Sequence, residues 1–190
     1  MDISRICVFC GSSFGNDEKY REYASELGKT LAENGITLIY GAGSRGLMGE
    51  VALSAKRSGG YVTGVSPERF HSHSRDFEID EYILVETMHQ RKETMYRLAQ
   101  GFIVMPGGIG TLDEFAEIFT WLQIGLSDKP VALLNVEGFF DPLIAMLDRM
   151  TETGFMEREK RNLLIVEDTG KKILDRFGVY EPQFRLWKAP

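Results

Sequence analysis

Gly101-Phe-Ile-Val-Met-Pro-Gly-Gly-Ile-Gly-Thr-Leu-Asp-Glu114 is the stretch whose reading decides the fold. Gly101 to Met105 is a short apolar run of the kind that forms a fully buried strand. Pro106 stops that strand, because proline has no N–H to give to a ladder. Gly107, Gly108 and Gly110 let the backbone turn tightly and approach a ligand with no Cβ in the way. Thr111-Leu-Asp-Glu114 then opens a helix whose apolar positions, Phe115, Ile118, Phe119 and Leu122, recur at helical spacing. Strand, glycine turn and helix N-terminus follow in order. Unpaired N–H groups and the positive end of the helix dipole there favour an anion, and a phosphorylated small molecule is the expected ligand. A structural reading stands beside this one: Thr-x-x-Glu is also a capping box, with Thr111 and Glu114 satisfying each other's amides. The pattern is neither G-x-G-x-x-G nor G-x-x-x-x-G-K-[ST], so neither dinucleotide binding nor NTP hydrolysis follows from it.

The same order recurs along the chain. Strands are expected at Ile6–Cys10, Ile36–Tyr40, Tyr61–Val65, Tyr82–Val85, Phe102–Met105, Val131–Asn135 and Leu163–Val166. Helices are expected at Glu18–Asn34, Leu47–Ser58, Met88–Ala99, Leu112–Ile124, Pro142–Thr151 and Thr169–Phe177. Such alternation predicts βαβ units and a mainly parallel, doubly wound α/β sheet with helices on both faces, in one domain over residues 1–190. In such a sheet ligands bind outside the carboxyl ends of the strands, where the strand order reverses. Three strand ends carry glycine-rich turns: Gly11-Ser12-Ser13, the run from Gly41 through Gly43 and Ser44 to Gly49, and Gly107 to Thr111. Their hydroxyls on Ser12, Ser13, Ser44 and Thr111 suit phosphate or ribose. The tail from Glu181 to Pro190, with Trp187, is expected to run over the surface and to reach a partner subunit.

Composition sets the outer limits. The chain has 190 residues, 43% hydrophobic and 26% charged, with net charge −6. That balance disfavours sequence-independent nucleic-acid binding, which needs a basic face. No uncharged apolar run reaches the roughly 18 residues of a membrane span. The start, Met-Asp-Ile-Ser-Arg, runs straight into a strand, so the expected compartment is the cytoplasm. Cys7 and Cys10 form a C-x-x-C, but residues three apart on a strand point to opposite faces, and no second pair completes a zinc site. Packing is therefore preferred over a redox or metal role, and His71 and His73 are read as loop residues; no metal is expected.

After the fourth strand comes Met88-His-Gln-Arg91-Lys92. Cations in the first turn of a helix oppose the dipole. An anionic ligand at the same sheet edge would compensate them, and so would nearby acids such as Glu93. Arg97, further round the helix, is assigned to the surface.

Met88-His-Gln-Arg91-Lys92, followed by Pro106-Gly-Gly-x-Gly-Thr-x-x-Glu114, resembles the LONELY GUY family of cytokinin-activating phosphoribohydrolases, often labelled possible lysine decarboxylase. The resemblance extends to Cys7-Val-Phe-Cys-Gly-Ser-Ser13, Gly46-Leu-Met-Gly49, Thr120-Trp121 and Asp128-Lys-Pro-Val-Ala-Leu-Leu-Asn135. It implies a Rossmann-like fold, a homodimer, and hydrolysis of the N-glycosidic bond of AMP or N6-modified AMP to free base and ribose 5-phosphate. It implies Arg91 and Glu114 as the catalytic pair, with Lys92, Thr120 and the loop Gly108, Ile109, Gly110 and Thr111 binding nucleotide. Gly11, Ser12, Ser13, Gly43, Met88, Gly107, Leu112 and Asp113 complete the candidate substrate site. Two places depart from the family pattern: Ala42 stands where a third glycine is usual, and the loop from Pro67 to Asp80 differs and could shape the base pocket.

The chemistry is consistent with these residue types. Cleaving a ribosyl C–N bond passes through an oxocarbenium-like state that needs a carboxylate and an activated water. Arg91 is expected to hold Glu114 ionised, as a neighbouring cation lowers a carboxylate pKa, and phosphate contacts would position the sugar. A decarboxylase would instead need pyridoxal phosphate on a Schiff-base lysine; Lys92 is the one lysine near the site, and nothing marks a partner for the pyridine nitrogen. No cofactor is expected. The remaining alternative is a non-catalytic carrier of a nucleotide or phosphorylated pterin, which would keep the glycine loops without needing Arg91 and Glu114.

Overall fold

A computed structural model describes residues 3–69 and 78–181. Among the described residues the seven strands are β1 (Arg5–Phe9), β2 (Thr37–Tyr40), β3 (Val62–Pro67), β4 (Glu81–Val85), β5 (Gly101–Val104), β6 (Val131–Leu134) and β7 (Leu164–Glu167). Every pairing is parallel, in the order β4-β3-β2-β1-β5-β6-β7. The sheet is thus doubly wound and wholly parallel. The order reverses between β1 and β5, where Ile6 pairs with Gly101 and Phe9 with Val104.

The strands read as continuous apolar runs because both faces are covered. On one face Ile6, Val8, Ile103 and Met105 meet α1 (Glu18–Glu33), α2 (Gly46–Arg57) and α7 (Gly170–Gly178) through Leu27, Leu31, Val51, Ile173 and Phe177. On the other, Cys7, Phe9, Phe102 and Val104 meet α3 (Met88–Leu98), α4 (Ile109–Gln123) and α5 (Asp141–Glu152) through Met95, Phe115, Ile118, Phe119 and Leu147. Burying Phe102 alone, stacked on Phe9 and Tyr96, stabilises by about 1.5–3 kcal/mol. Gly28 lets α1 lie directly on α2, since a Cβ there would run into the carbonyl of Val51. Cys7 and Cys10 are free, buried and divided between the two cores, as strand periodicity requires.

One boundary differs from the sequence expectation in a way that matters. Helix α4 starts at Ile109, three residues before the expected Leu112, with Gly108 as its N-cap and no capping side chain. Thr111 and Glu114 therefore lie inside the helix and form no capping box. The capping box is on α3, where the Thr87 hydroxyl accepts from the Gln90 amide and Gln90 Oε1 accepts from the Thr87 amide. A short helix, α6 (Arg158–Arg161), precedes β7 and was not expected. His71, His73, most of the Pro67–Asp80 loop and the tail beyond Glu181 lie outside the described residues.

Candidate active site

The carboxyl ends of β1 and β5 are tied together where the strand order reverses: Met105 N donates to the Phe9 carbonyl at 2.8 Å and Gly11 N to the Pro106 carbonyl at 3.0 Å. Above this tie the N-termini of α3 and α4 stand side by side. Between them is a cavity of about 380 Å³ lined by Cys10, Gly11, Ser12, Met48, Met88, Arg91, Lys92, Gly108, Ile109, Gly110, Thr111, Asp113 and Glu114.

Arg91 lies in the first turns of α3, 8% exposed, with its guanidinium fixed on two sides. Nε donates to the Val65 carbonyl within β3, 3.1 Å away, and Nη1 to Glu114 Oε1 at 2.8 Å. Gly41, at the end of β2, makes room for it: a Cβ there would coincide with Nη2. Lys92 Nζ lies 3.1 Å from Asp113 Oδ2 and 3.2 Å from Glu117 Oε2. The cations of α3 are therefore compensated by acids from α4 rather than by Glu93. Two cations face three carboxylates, so side-chain charge gives no net attraction for an anion. That attraction is left to α4, whose first-turn amides carry no side-chain cap.

The glycines of this loop do different jobs. At Gly107 a Cβ would run into Thr111 Oγ1, so a small residue is required for packing. At Gly108 and Gly110 a Cβ would meet nothing within 4 Å. The space a side chain would take at those two residues is open.

Glu114 departs from the expected electrostatics. Burial raises its carboxyl above the ordinary glutamate range, and Arg91 only partly opposes this. Arg91 does lower it, as expected, but the net shift is upward because the pair is largely out of water, where desolvating a charge outweighs one good partner. For Lys92 burial pulls the ammonium down, but Asp113 and Glu117 outweigh it and leave it raised. Burial pushes the Cys10 thiol far up, with Glu114 adding to the effect, so the cavity wall there is an un-ionised SH.

Of the residues expected at the site, Gly11, Ser12, Met88, Arg91, Lys92, Gly108, Ile109, Gly110, Thr111, Asp113 and Glu114 share this cavity. Ser13 and Gly107 line an adjoining hollow of about 270 Å³ whose far walls are Phe14, Tyr20 and Phe139. Gly43, against Met48, and Leu112 and Thr120 on α4 line neither. Cys10 and Met48 were not expected; Met48 sits in the first turn of α2, inside the glycine run already read as ligand-facing. Ala42 adopts the left-handed φ of +57° that a glycine takes more readily.

The family described as possible lysine decarboxylase matches residues 48–177. The cytokinin riboside 5′-monophosphate phosphoribohydrolase LOG of Oryza sativa subsp. japonica is 42% identical over 183 residues, 96% of this chain and 76% of that protein. The chain belongs to this family. LOG7 of Arabidopsis thaliana, carrying the same activity in its name, is 42% identical over 183 residues, 96% of this chain and 84% of its own length. Among solved structures, the molybdenum cofactor binding protein of Rippkaea orientalis superposes with a TM-score of 0.67 at 23% identity, covering 92% of this chain and 95% of that one. At that identity the likeness establishes the Rossmann-like fold and nothing more. The older label does not suit the site: a Schiff-base lysine must be neutral to attack, whereas Lys92 is held as an ammonium by two carboxylates.

Proposed function

We propose that this chain is a phosphoribohydrolase, cleaving the N-glycosidic bond of adenosine 5′-monophosphates carrying N6 substituents to free base and ribose 5-phosphate. The observation that carries the reading is the Arg91–Glu114 pair, 2.8 Å apart, beside the uncapped N-terminus of α4. The 5′-phosphate docks on the open amides over Gly108 to Thr111, with Ser12 alongside. That contact fixes the sugar, so binding energy far from the reacting carbon is converted into orientation. C1′ then faces Glu114, which takes a proton from the attacking water and balances the positive charge developing on the ribose. Arg91, itself held by the Val65 carbonyl, keeps the carboxylate aimed and adds a donor for the sugar. Met48 and Met88 give the cavity adaptable apolar walls suited to a varied N6 substituent.

A homodimer is part of this reading. Ile109, 83% exposed, and Ile124 and Leu126 at the other end of α4 form apolar surface that a second copy would cover. The two free thiols, Cys7 and Cys10, suit a reducing cytoplasm.

Glu114→Gln tests the assignment. Turnover of AMP and N6-isopentenyl-AMP should fall by about 10³-fold, with nucleotide affinity by calorimetry nearly unchanged. The acid limb of kcat for the unaltered enzyme should lie above the ordinary glutamate range: the base acts only when ionised, and its raised pKa moves that requirement to higher pH. Binding of both nucleotides with turnover of neither would instead identify a carrier.

A further inference from the structure

We infer that Lys92 is a second catalytic group, its ammonium donating to a ring nitrogen of the departing purine; this rests on the phosphoribohydrolase reading above. When C1′–N9 breaks, the bonding pair goes to the purine, and a neutral base leaves only if a proton reaches the ring. The water side of the reaction has its acceptor in Glu114. The leaving-group side needs a donor.

The cavity narrows the choice. Arg91 is engaged at Nη1 by Glu114 and at Nε by the Val65 carbonyl. Cys10 contributes a thiol, a weak donor. Lys92 shares the cavity wall with Arg91, one residue further along α3, and its side chain is only 16% exposed. An ammonium has three N–H donors. Asp113 and Glu117, at 3.1 and 3.2 Å, accept two of them and leave the third for a ligand. Those carboxylates also keep the group charged and stop it from swinging into solvent.

The step balances. The C1′–N9 pair moves to the purine, the ring nitrogen that becomes basic takes a proton from Lys92 Nζ, the water oxygen bonds to C1′, and the water's proton goes to Glu114. Lys92 is left neutral and Glu114 protonated. Proton exchange with solvent resets both, and nothing is oxidised or reduced.

The test uses 6-substituted purine ribonucleoside 5′-monophosphates, from N6-alkylamino to 6-chloro, which grade the acidity of the leaving base. In Lys92→Met, kcat for the N6-alkyladenine nucleotide should drop by about 10²-fold, with a much smaller drop for the 6-chloropurine nucleotide. The dependence of log kcat on leaving-base pKa is then steeper than in the unaltered enzyme. Glu117→Gln loosens the tie between α3 and α4 while leaving the ammonium on Asp113, and should steepen that slope far less than Lys92→Met does. If Lys92→Met fails to fold, Lys92→Arg retains the charge with its donors displaced and should still steepen the slope. A drop of equal size across the series would overturn the proposal and reduce Lys92 to a link between helices. Failure of the unaltered enzyme to hydrolyse any member would overturn the underlying reading instead.

Discussion

Helices α3 and α4 present their N-termini at the same sheet edge, yet they are finished in opposite ways. On α3 the chain satisfies part of its own terminus: Thr87 and Gln90 close a capping box that bonds the Gln90 and Thr87 amides. On α4 the cap is Gly108, which has no side chain to offer, and the first-turn amides are left to outside partners. The closed terminus serves as a mount, holding Arg91 and Lys92 against α4. In the proposed reaction the open terminus is the phosphate receptor. A site of this kind needs both, because a mobile cation could not keep Glu114 aimed and a capped α4 could not take a phosphate.

The contrast can be broken at three points. The largest effect is expected on the mount, at Gly41→Ala: the new methyl would occupy the volume of the Arg91 guanidinium and push it off Glu114. The kcat/KM for AMP should fall by at least about 10²-fold, since displacing a positioned group by an ångström costs that much. Retention of full activity would mean that Arg91 works from another position.

Next comes the receptor. At Gly108→Asp the φ of −90° and the open space both admit a side chain, and aspartate is a favoured N-cap. The carboxylate would do for α4 what the phosphate does. KM for AMP should rise about tenfold or more, equivalent to roughly 1.4 kcal/mol of lost binding, while thermal stability stays level or gains a few tenths of a kcal/mol. An unchanged KM would place the phosphate elsewhere.

The smallest effect is expected at Thr87→Ala. Loss of the capping box should cost about 1 kcal/mol in denaturant unfolding and lower kcat only a few-fold, because the Val65 carbonyl and Glu114 still hold Arg91. Together the last two variants separate a cap that supports structure from a cap that is left out for function.

Much of this was legible in the chain. Buried parallel strands write themselves as apolar runs, and the alternation of Ile6–Cys10 through Leu163–Val166 with helical spacing led to the doubly wound sheet. The misplaced capping box shows the limit. Thr111-x-x-Glu114 and Thr87-x-x-Gln90 both satisfy the same local rule, and only the second forms the box. Which one forms depends on where the preceding strand releases the chain, and the tie of β5 to β1 sets that.

What the sequence determined alone was the layering, the glycine-rich edge and the chemistry of the residues at it, because periodicity and backbone freedom are local properties. Only the tertiary structure decided that Lys92 is answered by Asp113 and Glu117, that Met48 and Cys10 join the cavity, and that burial raises Glu114 against Arg91. Desolvation depends on everything packed around a charge. No spacing along one chain records how much water the fold has removed.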